Sequence, residues 1–276
     1  MNTNILKLDD SESLNPVTVS EWAIDNLVSK TTPHLQSLLY IDTLSPEQTE
    51  SLYKTKLYIL VTYSTIHNVS LLYGEDDRFS NIKTSCYNLE HFLTASTKQI
   101  LKMFDSQNIC IELDIDKNYK SAFLDIRRVS FIIFNLISNS IIHTKVKEKH
   151  IKLSTSMRGD DLIITVSDNG QGISKDIQST LFLPPKKFSS SMINETGGGL
   201  ILSGMGLAVS KKLAADMVSR LTFIPTKRGA TFELSIPQNL SRKSTIHEAL
   251  DYEIDKEILE EIFASSLLYY LYNENK

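Results

Sequence analysis

An α+β fold is predicted by two features of the sequence: helical apolar spacing at both ends of the chain, and short alternating strands interleaved with helices between them. The predicted architecture is an N-terminal antiparallel helical hairpin followed by an α/β sandwich. A third feature belongs to the sandwich. Of the ten glycines in 276 residues, Gly197, Gly198, Gly199, Gly204 and Gly206 crowd into "GGGLILSGMGLAVS", which ends in a helix-forming run. The expected division is a flexible N-terminus over 1–16, the hairpin over 17–86, the sandwich over 87–240 and an amphipathic C-terminal helix over 241–276.

Each element has a local reason. Trp22, Ile24, Leu27, Val28, Leu35, Leu38, Leu39 and Ile41 are spaced as on a helix, with Pro33 kinking or ending it. "SPEQ" restarts a helix at Ser45, with Pro46 at its first position and Glu47 in its first turn, and "GEDDR" ends it after Tyr73. A short loop makes the two helices antiparallel. The second carries more apolar residues than a hairpin buries alone, which predicts a four-helix bundle by homodimerisation through residues 17–73. Downstream, 88–104 is a predicted helix, "NICIELDI" a half-buried strand, and 125–143 a helix. "HIKLSTSM" and "DLIITVSD" are strands joined at "RGDD"; a helix opens after Gly206; "SRLTFIPT" and "GATFELSIP" close the sheet. The tail from Thr245 is a further helix with an acidic face, suited to packing on the sandwich or to holding a partner.

Composition bounds the function. A 41% hydrophobic, 22% charged chain is that of a folded globular protein. A net charge of −4 gives no electrostatic reason to expect nucleic acid or an anionic membrane as partner. No stretch approaches the ~18 apolar residues of a membrane span, and "MNTNILKLDDSESLNP" lacks the basic start and apolar core of a signal peptide. Cys86 and Cys110 form neither a metal motif nor a disulfide framework, so a cytoplasmic protein is expected.

Chemistry concentrates in three segments. In "FNLISNSIIHT", Asn135 and Asn139 share a helix face, where carboxamide oxygens can hold Mg²⁺ beside phosphates; the alternative is a pair of surface asparagines. In "SDNGQGIS", Asp168 at a strand end can accept from an adenine amino group while Gly170 and Gly172 keep side chains away; the alternative is a turn. In the glycine run, Gly204 and Gly206 open a helix whose free N–H groups suit a phosphate, and Gly197–Gly199 suit a mobile flap; the alternative is a loop capping a helix.

In this order and spacing the segments resemble the ATP-binding domain of sensor histidine kinases, of the GHKL superfamily shared with type II topoisomerases and Hsp90-type chaperones. "NLISNS" is similar to the N box, "DNGQGI" to the G1 box, "LFLPPKKF" to the F box, "SGMGLAVSKKLA" to the G2 box and "GATFELSIP" to the closing strand. The resemblance covers about residues 87–238. It implies a Bergerat-type sandwich of helices on an antiparallel sheet, binding Mg-ATP under a lid of about residues 181–203. It implies that Asn139 ligates Mg²⁺ with Asn135 nearby, that Asp168 reads adenine in a pocket shaped by Gly170 and Gly172, that Gly204 and Gly206 meet the phosphates, that His143 lies beside the nucleotide, and that Thr231 holds the threonine position. Related ATPases place a glutamate general base at position 135; Asn135 cannot take a proton from water, which favours a kinase-like site over hydrolysis.

The pattern departs in three places. Ile142 stands where the family commonly has Lys or Arg, leaving Lys186 or Lys187 of the lid to face the phosphates, and Leu202 stands where a further glycine is usual. No H box precedes the domain. His34 is the first candidate phosphoacceptor; aligning "KTTP" with the H-box proline instead puts Val28 at the acceptor position and removes it; His67 and His91 are further histidines. Three functions follow as expectations: a histidine kinase that phosphorylates itself and passes phosphate to a response regulator receiver domain; a non-catalytic pseudokinase or phosphotransfer scaffold for that regulator; and an anti-sigma-factor-like serine kinase, which the long hairpin disfavours.

Overall fold

The structure, a computed structural model, describes residues 43–73, 81–104, 108–184 and 205–238, together with Leu38, Phe79, Leu259, Ile262, Phe263, Ala264 and Leu267. Helix α1 spans Pro46–Tyr73. Strand β1 (Ser85–Asn88) leads into α2 (Leu89–Met103), then β2 (Ile109–Asp114), β3 (Ser121–Leu124) and α3 (Ile126–His143). Strands β4 (Lys149–Arg158) and β5 (Asp161–Asp168) form a hairpin, followed by the single turn α4 (Lys175–Gln178). Helix α5 (Gly206–Asp216), β6 (Arg220–Ile224) and β7 (Thr231–Pro237) complete the described elements.

A five-stranded sheet runs in the order β2-β4-β5-β7-β6, and β1 pairs with β3 in a separate two-stranded sheet. The large sheet is mixed: β4, β5, β7 and β6 pair antiparallel, whereas β2 joins β4 in parallel, Ile111 opposite Ile151. The expected antiparallel sheet is corrected at that edge, because the β3 and α3 crossover returns the chain to the same end. The short β1 and β3 were not foreseen; each has four residues, too few for alternation to register.

The helix starts follow local chemistry. At α1 the Gln48 amide donates to Ser45 Oγ (3.2 Å) and the Ser45 amide to Gln48 Oε1 (2.8 Å), a reciprocal cap ahead of Pro46. Asn88 caps α2 through the His91 amide and Asp125 caps α3 through the Arg128 amide. Helix α3 is the centre of the core. Val129, Ile132, Ile133, Leu136, Ile137 and Ile141 are fully buried, and the stripe Asn135, Asn139, His143 is the less covered side.

Helix α1 buries Leu57, Leu60, Val61 and Leu71 in the same core, and lies against α5. Part of the apolar surplus that predicted a dimeric bundle is therefore covered within the chain. The C-terminal segment also reaches this core. Phe263 is fully buried between Phe104 (centroids 5.7 Å) and Phe134 (6.3 Å), and Ser138 Oγ donates to the Ile262 carbonyl at 3.5 Å. No helix among the described residues is long and apolar enough to cross a membrane.

A buried ion pair joins α3 to the segment that follows α1. Arg128 (2% exposed) pairs with Asp125 (5%) and donates to the Phe79 and Asn81 carbonyls, while Asp125 Oδ2 accepts from the Lys83 amide at 3.0 Å. Phe79 in turn stacks edge-on against Phe131 at 5.8 Å. Arg128→Met strands the Asp125 carboxylate and frees this segment. It is expected to cost about 3–5 kcal/mol, read from the urea midpoint.

Candidate functional site: a nucleotide cavity between α3, β5 and α5

Strand β5 delivers Asp168 to the sheet end, where backbone and side chain are fixed together. The Asp168 amide donates to the Ala230 carbonyl (3.0 Å), and Asp168 Oδ1 accepts from the Ala230 amide (3.1 Å) and the Gly170 amide (2.9 Å). Asp168 Oδ2 accepts from Ser140 Oγ at 3.2 Å. Two approaches are too close for a side chain. A Cβ on Gly229, at φ +72°, would sit 1.7 Å from the Asp168 carbonyl oxygen, and one on Gly170 would sit 2.9 Å from both Asp168 Oδ1 and Thr144 Oγ1.

Asp168 faces a cavity of about 500 Å³ walled by α3, the "DNGQGIS" loop, α4, Leu181, the start of α5, Ala230 and Phe232. Asn139 and His143 line it together with Gly170, Gly172 and Gly206. Asn135 stands one turn further along α3, and a Cβ on Gly206 would meet its Oδ1 at 2.7 Å; the glycine lets the open end of α5 reach the asparagine stripe. The Nδ2 atoms of Asn135 and Asn139 are buried and have no hydrogen-bond partner among the described residues. Such carboxamides are open to a ligand's polar atoms.

The fit to Mg²⁺ follows from this donor set. Among the described residues no group of three His, Cys, Asp or Glu could hold a metal, so no all-protein cage exists there. Neutral carboxamide oxygens suit an ion that keeps several waters and takes its remaining ligands from phosphates. Asn139, with Asn135 beside it, fits that role.

The loop between α3 and β4 is stapled to the Asp168 turn. Gln171 Nε2 donates to the His143 carbonyl (2.6 Å) and its Oε1 accepts from the Lys145 amide (3.4 Å). Asn169 donates to the Glu148 carbonyl and accepts from the His150 amide, both at 3.0 Å. The buried Lys149 ammonium donates to the Thr144 carbonyl at the end of α3. Burial lowers the Lys149 pKa, opposed by the Asp168 charge. The His143 pKa is also lowered: withdrawal from water is the largest cause, the Asp168 charge opposes it, and Lys145 and Lys149 add to the lowering.

Other expected site residues fall differently. Thr231 is not on the cavity wall; its neighbours Ala230 and Phe232 are. Ile142 is buried in the core, so the position where the family has a cation carries a packing residue. Leu181 is on the cavity wall, and Phe182 packs edge-on against Phe232 at 6.2 Å. His34, Lys186, Lys187, Gly197–Gly199, Leu202 and Gly204 lie outside the described residues. Sequence reasoning passed over Ser140, Gln171 and Gly229. The last had a signal, since glycine ahead of an alternating strand marks a close backbone approach.

A family model described as histidine kinase-, DNA gyrase B-, and HSP90-like ATPase matches residues 124–240. Residues 124–240 thus carry an ATPase domain of the histidine kinase-, DNA gyrase B-, and HSP90-like kind. The sensor-like histidine kinase SenX3 of Mycolicibacterium smegmatis is 31% identical over 135 residues, covering 49% of this chain and 34% of SenX3. Full-length ShkA, solved with AMPPNP, shares the fold at TM-score 0.59 and 18% identity, over 79% of this chain and 46% of ShkA. ThkA, solved with the response regulator TrrA, does so at TM-score 0.52 and 16% identity, over 80% of this chain and 60% of that one. The chain spans about a third of the length of the curated relatives it matches first. In the ATPase domain the matched segment begins at the end of β3 and contains α3, Asp168 and α5.

Gly229→Ala forces a Cβ into the Asp168 carbonyl and is expected to destabilise the ATPase domain by about 2 kcal/mol or more, measured by thermal melting. The lowered His143 pKa leaves its stabilising contribution complete above the unfolded value of 6.5 and removes it as the pH falls through the folded value. Wild-type stability should therefore fall more steeply on acidification than that of His143→Gln, in paired melts across that window.

Proposed function

We propose that this chain is a histidine kinase-like protein that binds Mg-ATP and serves two-component signalling with a response regulator receiver domain. One observation carries the reading: a single cavity is lined by the Asp168 carboxylate, by Asn139, whose buried Nδ2 has no hydrogen-bond partner among the described residues, and by Gly206 at the start of α5, with Asn135 one turn along α3 beside that glycine. An adenine amino group needs the carboxylate and a phosphate chain the helix start. The AMPPNP complex of ShkA and the response regulator complex of ThkA support the reading through their shared fold.

In this reading Asp168 accepts from adenine, with Gly170 and Gly172 keeping its surroundings clear. His143 flanks the nucleotide. Asn139 would hold Mg²⁺, with Asn135 nearby, and the ion would offset phosphate charge; Gly204 and Gly206 meet the phosphates; Lys186 or Lys187 supplies a cation from the lid. Asn135 lacks the basicity to activate water, so the γ-phosphoryl is kept for a protein acceptor. His34 is the proposed acceptor, and positioning and electrostatics do most of the work of in-line transfer. Dimerisation through residues 17–73 completes the reading. Leu52, Ile59 and Ile66 recur at heptad spacing on α1 and are only half buried, as a bundle seam requires.

A second reading, a scaffold without phosphoacceptor, is favoured by one observation. His67, the histidine of α1, is 4% exposed, with its ring 4.0 Å from that of Tyr63, so it is not offered for transfer. Incubation with γ-labelled ATP separates the two. Acid-labile, alkali-stable label lost in His34→Ala is the expected result. No label, with nucleotide binding that Asn139→Ala abolishes, makes the protein a scaffold; stable label on a partner's serine makes it a serine kinase.

A further inference from the structure

We propose that Ser140 is a base-reading residue, its hydroxyl meeting adenine N1 beside the amino group that Asp168 accepts. The inference rests on the Mg-ATP reading above and deepens it. The two oxygens of Asp168 have different duties. Oδ1 accepts from the Gly170 and Ala230 amides at 2.9 and 3.1 Å, which places it against the backbone and fills both its lone pairs. Among the described residues Oδ2 has one hydrogen-bond partner, Ser140 Oγ at 3.2 Å, and so keeps a lone pair for a ligand.

Ser140 and Asp168 both line the cavity, and Ser140 is 4% exposed, so its hydroxyl competes little with bulk water. A serine hydroxyl is a rotor with one proton. While the cavity holds no base, that proton rests on Asp168 Oδ2. When an amino-purine donates to Oδ2, the hydroxyl is free to turn to the neighbouring ring nitrogen. Adenine presents a donor next to an acceptor on this edge, N6–H beside N1. Guanine presents an acceptor beside a donor, O6 and N1–H. The carboxylate cannot donate, so the order of the pair is set: Oδ2 with the hydroxyl complements adenine and opposes O6 of guanine with a second acceptor.

The alternative is that Ser140 only steadies Asp168. Removing the hydroxyl would then weaken every adenine nucleotide alike. Binding of ATP and 1-deaza-ATP, in which C–H replaces N1, tells the two apart. The wild-type chain is expected to bind ATP about three- to tenfold more tightly than 1-deaza-ATP, the loss of one hydrogen bond. Ser140→Ala should bind the two alike, with ATP weakened by that factor, and Ser140→Thr should keep the preference. A wild type that binds both equally, or a Ser140→Ala variant that still prefers ATP, overturns the inference while leaving ATP binding intact. A wild type that binds neither nucleotide sinks the Mg-ATP reading itself, and this inference with it.

Discussion

The burial of α3 is the constraint on which the rest of the molecule depends. A helix with Val129, Ile132, Ile133, Leu136, Ile137 and Ile141 all out of water can sit only between a sheet and other helices. That requirement brings the large sheet, α5 and the C-terminal Phe263 around it. It also leaves one stripe at four-residue spacing, Asn135, Asn139 and His143, free of packing duties. The core and the site are thus two faces of one helix, and the polar stripe is held in place by the apolar ones.

Opposite that stripe, the site depends on backbone brought closer than side chains allow. Gly229 presses on the Asp168 carbonyl, Gly170 on Asp168 Oδ1 and Thr144, and Gly206 on Asn135. Each glycine removes a barrier between two elements that must meet, so these three sit where sheet, loop and helix converge. The amides released by these approaches then fix one oxygen of Asp168 and turn the other toward the cavity. The polar staples from Asn169 and Gln171 extend the same rigidity to the loop behind it.

Helix α1 is linked to this arrangement rather than separate from it. Its buried stripe enters the domain core, and the segment after it is held by the Asp125–Arg128 pair at the start of α3. A buried pair of this kind contributes little net stability when intact but is costly to break, so it serves to define one position for the segment. The helix that would carry dimer contacts is tied to the helix that carries the asparagine stripe.

By itself the sequence determined the helix starts, the alternating strands and the order of the three polar segments, because caps, periodicity and glycine placement act over a few residues. Ser45, Pro46 and Glu47 announce α1, and "SDNGQGIS" after an apolar strand announces the Asp168 turn. Only the tertiary structure decided which residues share the cavity. Ser140 lies one residue off the asparagine stripe, and nothing local says that its hydroxyl meets a carboxylate 28 positions away. Thr231 reads as a site residue, yet strand alternation gives the wall to Ala230 and Phe232. The apolar surplus of α1 was legible as surplus, but its cover within the same chain was not, because periodicity states that a face must be buried and never against what.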